Sequence, residues 1–194
     1  LSIRRQRQMC IRDRLCAFLS AGSWSPSGLR VGMVYWVGQL KKENSAESFG
    51  FQSTVFRLAG DPKESTQTTV SSFGNRQLYL AHSALSDLNQ GRYLHTERVM
   101  REGWQARADS QSMSIRVAGI YAEKFKDQPG HRLITRYPNG GRLELKLLPI
   151  KPLIRFGERG LSRKGDDPAS VSWYWSYTRL KAIGKLFYLS LIHI

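Results

Sequence analysis

The stretch Arg132-Leu133-Ile134-Thr135-Arg136-Tyr137-Pro138-Asn139-Gly140-Gly141-Arg142-Leu143-Glu144-Leu145-Lys146-Leu147 decides the fold class. In its second half Leu143, Leu145 and Leu147 alternate with Arg142, Glu144 and Lys146, the period of two that a strand with one apolar and one solvated face requires. Pro138-Asn139-Gly140-Gly141 separates that run from residues 132–137, and Asn and Gly tolerate the positive φ of tight hairpin turns. The two runs therefore read as an antiparallel hairpin.

Outward from the hairpin, the same alternation predicts strands over residues 35–40, 49–58, 77–85, 112–120 and 171–180. Polar connections rich in Gly, Pro and Ser separate them, notably residues 60–75 and the glycine-rich loop 157–169. One helix is expected over residues 97–108, weakened by Gly103. Many short strands at this spacing indicate an all-β barrel or sandwich. With 194 residues, 41% hydrophobic and 11% aromatic, the chain is neither low-complexity nor disordered. No apolar run approaches the roughly 18 residues of a membrane helix, and two cysteines cannot build a disulfide scaffold.

Thirty Lys and Arg against fifteen Asp and Glu give a formal charge of +15, which by itself suggests an anionic partner. The ends qualify that reading. Residues 4–13, RRQRQMCIRD, resemble the translation of a transposon-type sequencing adapter, and LSLIHI, residues 189–194, resembles that of its complement. Residues 1–14 and 189–194 are therefore expected to be adapter-derived, set aside as a tag would be. Without residues 1–14, which hold five Arg and one Asp, the charge falls to +11 and Cys16 is the one cysteine left. No Lys/Arg block of the kind that marks a nucleic-acid tract remains, so nucleic acid is not expected as a partner.

A series of motifs resembles a known family. They run Tyr35-Trp36-Val37-Gly38-Gln39-Leu40; Phe49-Gly50-Phe51-Gln52 with Val55-Phe56-Arg57; and Leu78-Tyr79-Leu80-Ala81-His82-Ser83-Ala84-Leu85-Ser86-Asp87. Then follow Glu97-Arg98 with Arg101, Lys151-Pro152, Gly157, Gly160-Leu161-Ser162-Arg163-Lys164-Gly165, and Ser172-Trp173-Tyr174-Trp175-Ser176-Tyr177-Thr178-Arg179-Leu180. Their order and spacing over residues 32–188 resemble the N-terminal part of the AttH-like, lipocalin-like family. That family includes carotenoid 1,2-hydratase (hydroxyneurosporene synthase) and many "predicted secreted hydrolases". The resemblance implies a bacterial protein of two packed lipocalin-like barrels, secreted, periplasmic or membrane-associated. It further implies that this chain holds the first barrel only, the acidic groups of the hydratase chemistry lying largely in the second.

Two departures stand out. Where the family has Glu-Trp-Trp-Tyr-Trp, this chain has Gly32-Met33-Val34-Tyr35-Trp36. A single-base deletion accounts for all three changes at once and would place residues 15–31 out of frame. The rival reading takes Leu15 to Gly22 as the end of a signal peptide. The second departure is Phe156, where relatives often carry His.

The candidate pocket residues are Tyr35, Trp36, Gln52, Arg57, His82, Trp173, Tyr174, Trp175, Tyr177 and Arg179. His82 is either an inward general acid/base, with Asp87 five positions on, or an imidazole fixed by one hydrogen bond. Trp173, Trp175 and Tyr177 share a strand face, suited either to a long apolar ligand or simply to the core or a domain interface. Arg57 and Arg179, on expected strands, would need carboxylates if buried, with Glu97, Glu144 and Asp87 as choices. The basic glycine-rich loop departs from the P-loop pattern. The scattered His82, His95 and His131 give no metal motif, and no dinucleotide fingerprint occurs, so no cofactor is expected. The expected function is that of a hydratase-like fragment handling an apolar isoprenoid or lipid, contributing pocket wall rather than the proton donor. A non-catalytic lipid-binding barrel is the alternative, and an anionic-polymer binder a third.

Overall fold

The structure is a computed structural model that describes residues 4–19, 31–59, 77–109, 113–163, 166 and 171–191. It is all-β and antiparallel. The strands are β1 (Arg4–Leu19), β2 (Val31–Lys41), β3 (Ser48–Ala59), β4 (Gln77–Asp87), β5 (Arg92–Arg101), β6 (Ala106–Asp109) and β7 (Ser114–Val117). After them come β8 (Ile120–Lys124), β9 (His131–Arg136), β10 (Arg142–Pro149), β11 (Ile154–Arg155), β12 (Leu161–Arg163), β13 (Val171–Trp173) and β14 (Trp175–Leu191). One curled sheet runs in the order β5-β4-β3-β2-β1-β14-β10-β9-β8-β7-β6, with β11 on β14, while β12 and β13 pair separately. The two ends of that path, β5 and β6, are consecutive in sequence, so the order is that of an up-and-down, lipocalin-like barrel.

Alternation decides which face is inside. Val34, Trp36 and Leu40 of β2, Phe49, Phe51 and Val55 of β3, and Tyr79, Ala81 and Leu85 of β4 are buried. Leu133 of β9, Leu143, Leu145 and Leu147 of β10, and Leu180, Ala182 and Leu186 of β14 close the core from the other side. The expected hairpin is realised as β9 and β10, with a 3-10 turn at Pro138–Gly140 and Leu145 opposite Leu133. Glu144, on the outer face, pairs with Arg142 at 2.9 Å and Arg132 at 3.5 Å.

Three local expectations are corrected. The helix over residues 97–108 is instead the end of β5, a turn closed by the Gly103 and Ala106 bridge, and β6. Pairing with β4 from Asp87–Arg92 to Leu78–Arg101 overrides the helical pattern. The expected strand 112–120 is two strands, β7 and β8, broken where Ala118 (φ 49°) and Gly119 (φ 94°) both take the left-handed conformation of a two-residue hairpin turn. The loop 157–169 contains β12, whose Leu161 lies opposite Trp173. The expected loop 60–75 lies outside the described residues, as do most of 15–31 and the end of 189–194. β1, which spans much of the stretch expected to be adapter-derived, pairs with β14 from Arg4–Leu191 to Leu19–Trp175, and with β2 through Leu15 to Phe18.

Gly184 sets how closely β10 and β14 approach. A Cβ there would collide with the Glu144 carbonyl oxygen, and backbone in a ladder cannot retreat without breaking its hydrogen bonds. Gly184→Ala is therefore expected to destabilise the fold by about 1–3 kcal/mol. Gly103→Ala, whose Cβ meets nothing within 4 Å, is expected to stay within about 0.5 kcal/mol of the parent. Chemical denaturation midpoints of the two variants, measured side by side, check the contrast.

Candidate functional site

The ten candidate residues divide between the two faces of the sheet. Trp36 is inside, fully buried, and donates from Nε1 to His131 Nε2 at 2.7 Å. Their rings lie 5.9 Å apart. Arg57 is also inside, its Nε donating to Gln77 Oε1 at 2.7 Å, and the Tyr79 hydroxyl donates to the same oxygen at 3.0 Å. Tyr177 packs against the core. Its backbone lies in register with Ala17, which is itself in register with Trp36. Trp175, two positions along, is half-buried towards the same end of the barrel.

Tyr35, Gln52, His82 and Tyr174 form no part of that interior. Gln52 is exposed and donates to Thr54 Oγ1 at 3.1 Å. His82 alternates with the buried Ala81 and Ser83 and so points outward. It lies 5.6 Å from the Phe56 ring and 6.2 Å from the His95 ring, with Glu97 at 3.8 Å. Asp87, an odd number of positions from His82, is on the inner side and accepts from the backbone N–H groups of Asn89 and Gln90 in the β4–β5 turn. The inward, Asp87-assisted reading of His82 is therefore not the geometry found. Glu97 likewise faces His82 across β5 and β4 rather than Arg57. Tyr35 hydrogen-bonds Tyr174, and burial together with that neighbour pushes the Tyr35 phenol up to about 12. Tyr174 in turn stacks on Phe156 at 4.4 Å. Arg179 is half-buried, its carbonyl accepting from Ile150 N–H at 3.0 Å beside the β14 bulge. For Trp173, only the backbone register opposite Leu161 is described.

The interior polar group that the sequence reading passed over is His131. It is buried between β8 and β10, and desolvation lowers its pKa to about 4. As the acceptor from Trp36 it is a neutral imidazole at neutral pH, without the imidazolium proton that a general acid would give up. Beside it Ser53 and Thr135 share a hydrogen bond of 2.7 Å across the barrel. The Tyr137 hydroxyl is buried next to Ser53, and burial raises its pKa far above the ordinary phenol value. The signal was present in the sequence: His131 keeps period two with Leu133, Thr135 and Tyr137, which are all buried.

A curled antiparallel sheet with a neutral, hydrogen-bonded polar line through an apolar core defines a lipocalin-like β-barrel protein. A family model described as AttH-like matches residues 24–190, a span that contains the motifs at 35–180, and the chain belongs to that family. Among solved structures it is similar to a crystal structure of a protein from Nitrosomonas europaea that carries the AttH name, with a TM-score of 0.55 and 22% identity. The match covers 97% of this chain and 53% of that one, so the chain spans about half the length of that relative. No curated protein matches the chain.

The buried imidazole makes stability depend on pH. Between about 6.5 and about 4 the unfolded chain binds a proton at His131 that the native chain does not, so stability falls as pH is lowered through that window, by at most about 1.4 kcal/mol per pH unit. His131→Gln keeps a neutral acceptor for Trp36 and removes that proton. Its denaturation midpoint should fall less between about pH 7 and about pH 4.5 than that of the parent. Equal slopes would mean that His131 is not the titrating group.

Proposed function

We propose that this chain is the scaffolding barrel of an AttH-like protein that handles an apolar isoprenoid or lipid. In the hydratase reading, water adds to a terminal C=C after protonation by a carboxylic acid, and this chain supplies pocket wall rather than that acid. The observation that carries the proposal is the chemistry of the interior. His131 is held neutral as a hydrogen-bond acceptor, and the inward carboxylate Asp87 is engaged in a turn. Protonating an alkene needs an acid aimed at the ligand. Among the described residues, neither of these groups meets that need.

Packing supports the same division of labour. Trp36, Leu133, Leu143, Leu145, Leu147, Leu180 and Leu186 are at zero exposure, so no water-sized space adjoins them at the centre of the barrel. Among the described residues, aromatic groups open to a ligand are Trp175 and Tyr177, half-buried at the rim, and the outer Tyr35, Tyr174 and Phe156 group. Aromatic faces there would steady a carbocation through the ring quadrupole. We further propose export from a bacterial cell and a second barrel packed in cis.

The test compares this chain with a longer AttH-like protein that contains it, assaying incorporation of isotope-labelled water into an acyclic isoprenoid. The longer protein should form the tertiary alcohol, and this chain alone should not. Turnover by this chain alone would overturn the proposal. An inactive long protein that still retains the isoprenoid would establish the binding-barrel reading.

A further inference from the structure

The barrel is not sealed where its two terminal strands should meet. β5 and β6 are joined by residues 102–105 yet share no ladder, only the Gly103 and Ala106 bridge. A cleft of about 500 Å³ opens at this seam. One wall is the inner face of β5, because Thr96, Arg98 and Met100 lie opposite the buried Ser83, Ala81 and Tyr79. The other wall comes from β7–β9: Arg116, Tyr121 and Arg136 alternate with buried residues and so face away from the core. Trp104, 82% exposed, stands at the mouth.

Three guanidinium groups thus line one opening, and among the described residues none of them is ion-paired. Among the described residues no carboxylate lines the cleft. Arg116 and Arg136 both sit over the Tyr121 ring, at 5.5 and 5.4 Å from its centroid. The ring attracts both guanidiniums through its quadrupole but carries no net charge, so their positive charge is compensated only in part. An oxyanion would relieve the rest, since guanidinium presents paired N–H donors that match phosphate and carboxylate geometry. Arg98 occupies an inward strand position between Thr96 and Met100, opposite the buried Ala81. Met100, Trp104, Ala118 and Pro138 add an apolar flank to this charged centre.

We propose that the seam cleft binds an anionic amphiphile, its phosphate- or carboxylate-type head between Arg98, Arg116 and Arg136 and its apolar body along Met100 and Trp104. The site is separate from the barrel interior and does not depend on the hydratase reading. Its head group belongs either to a free molecule or to a lipid in a bilayer.

The experiment titrates the full chain with dodecyl phosphate, dodecanol and inorganic phosphate, reading tryptophan fluorescence against a Trp104→Phe control, and adds vesicles of phosphatidylcholine with or without phosphatidylglycerol. Dodecyl phosphate should saturate a single site and bind at least tenfold more tightly than inorganic phosphate or dodecanol. Arg98→Gln, Arg116→Gln and Arg136→Gln should each weaken it about tenfold. Lys181→Gln, an equal loss of charge on β14, should not. Saturable binding of dodecyl phosphate supports a free ligand, whereas arginine-dependent binding to phosphatidylglycerol vesicles alone supports a bilayer source. Equal losses from Lys181→Gln and the arginine variants, equal affinity for dodecanol, or binding in neither arm would overturn the proposal. All four altered side chains are exposed or half-buried, so circular dichroism should confirm that each variant keeps its sheet.

Discussion

The hydrogen bond from Trp36 to His131 is the constraint around which this barrel is organised. An indole N–H with no exposure must find an acceptor or lose roughly 1–3 kcal/mol. The acceptor it finds is 95 positions away on β9. That single contact, with the Ser53 and Thr135 bridge beside it, joins the β2–β4 half of the sheet to the β8–β10 half across the interior. A flat sheet could not make either contact. The curl, the filled centre and the neutral state of the imidazole are consequences of one another. Only a deprotonated His131 can accept, and only a closed core desolvates it enough to stay deprotonated.

Much of the fold was legible because alternation is a local signal. The β9–β10 hairpin, β2, β3 and β4 each carry their burial pattern within a few residues of sequence, from Phe49, Phe51, Ser53 and Val55 to Leu143, Leu145 and Leu147. What could not be read was set by partners elsewhere in the chain. β5 has exposed residues at most positions, so its sequence lacks the apolar stripe that marks a strand, and its state is fixed by ten pairings to β4. The β7–β8 turn uses Ala118 at positive φ, an uncommon choice that offers no Asn-Gly cue. The candidate site suffered from the same limitation. Motif neighbours such as Tyr35 and Trp36, or Trp175 and Tyr174, appear together in sequence but necessarily face opposite sides of a strand.

That opposition bears on what each face of the sheet can do. The inward residues are committed to packing, and the outward group of Tyr35, Tyr174 and Phe156 is held by a hydroxyl contact and a ring stack rather than by the core. Phe156 is the position where the family resemblance leads one to expect His. Replacing an imidazole by a phenyl ring removes a donor and acceptor but keeps the stacking surface, so this outer cluster is better suited here to apolar contact than to proton transfer.

The net charge of +15 acquires meaning only once it is placed. On the outer face of β9 and β10 the arginines Arg132 and Arg142 converge on Glu144, and in the β2–β3 turn Lys42 meets Glu47 at 3.1 Å. Those pairs are solvated and contribute little. The seam is different in kind. Arg98, Arg116 and Arg136 gather where strand pairing has lapsed and where, among the described residues, no acid lines the cleft. A barrel that needed only to close would place an apolar residue, not Arg98, opposite Ala81. An excess of cations spread over a surface is a solubility device, whereas one confined to a cleft beside an exposed tryptophan is a recognition device.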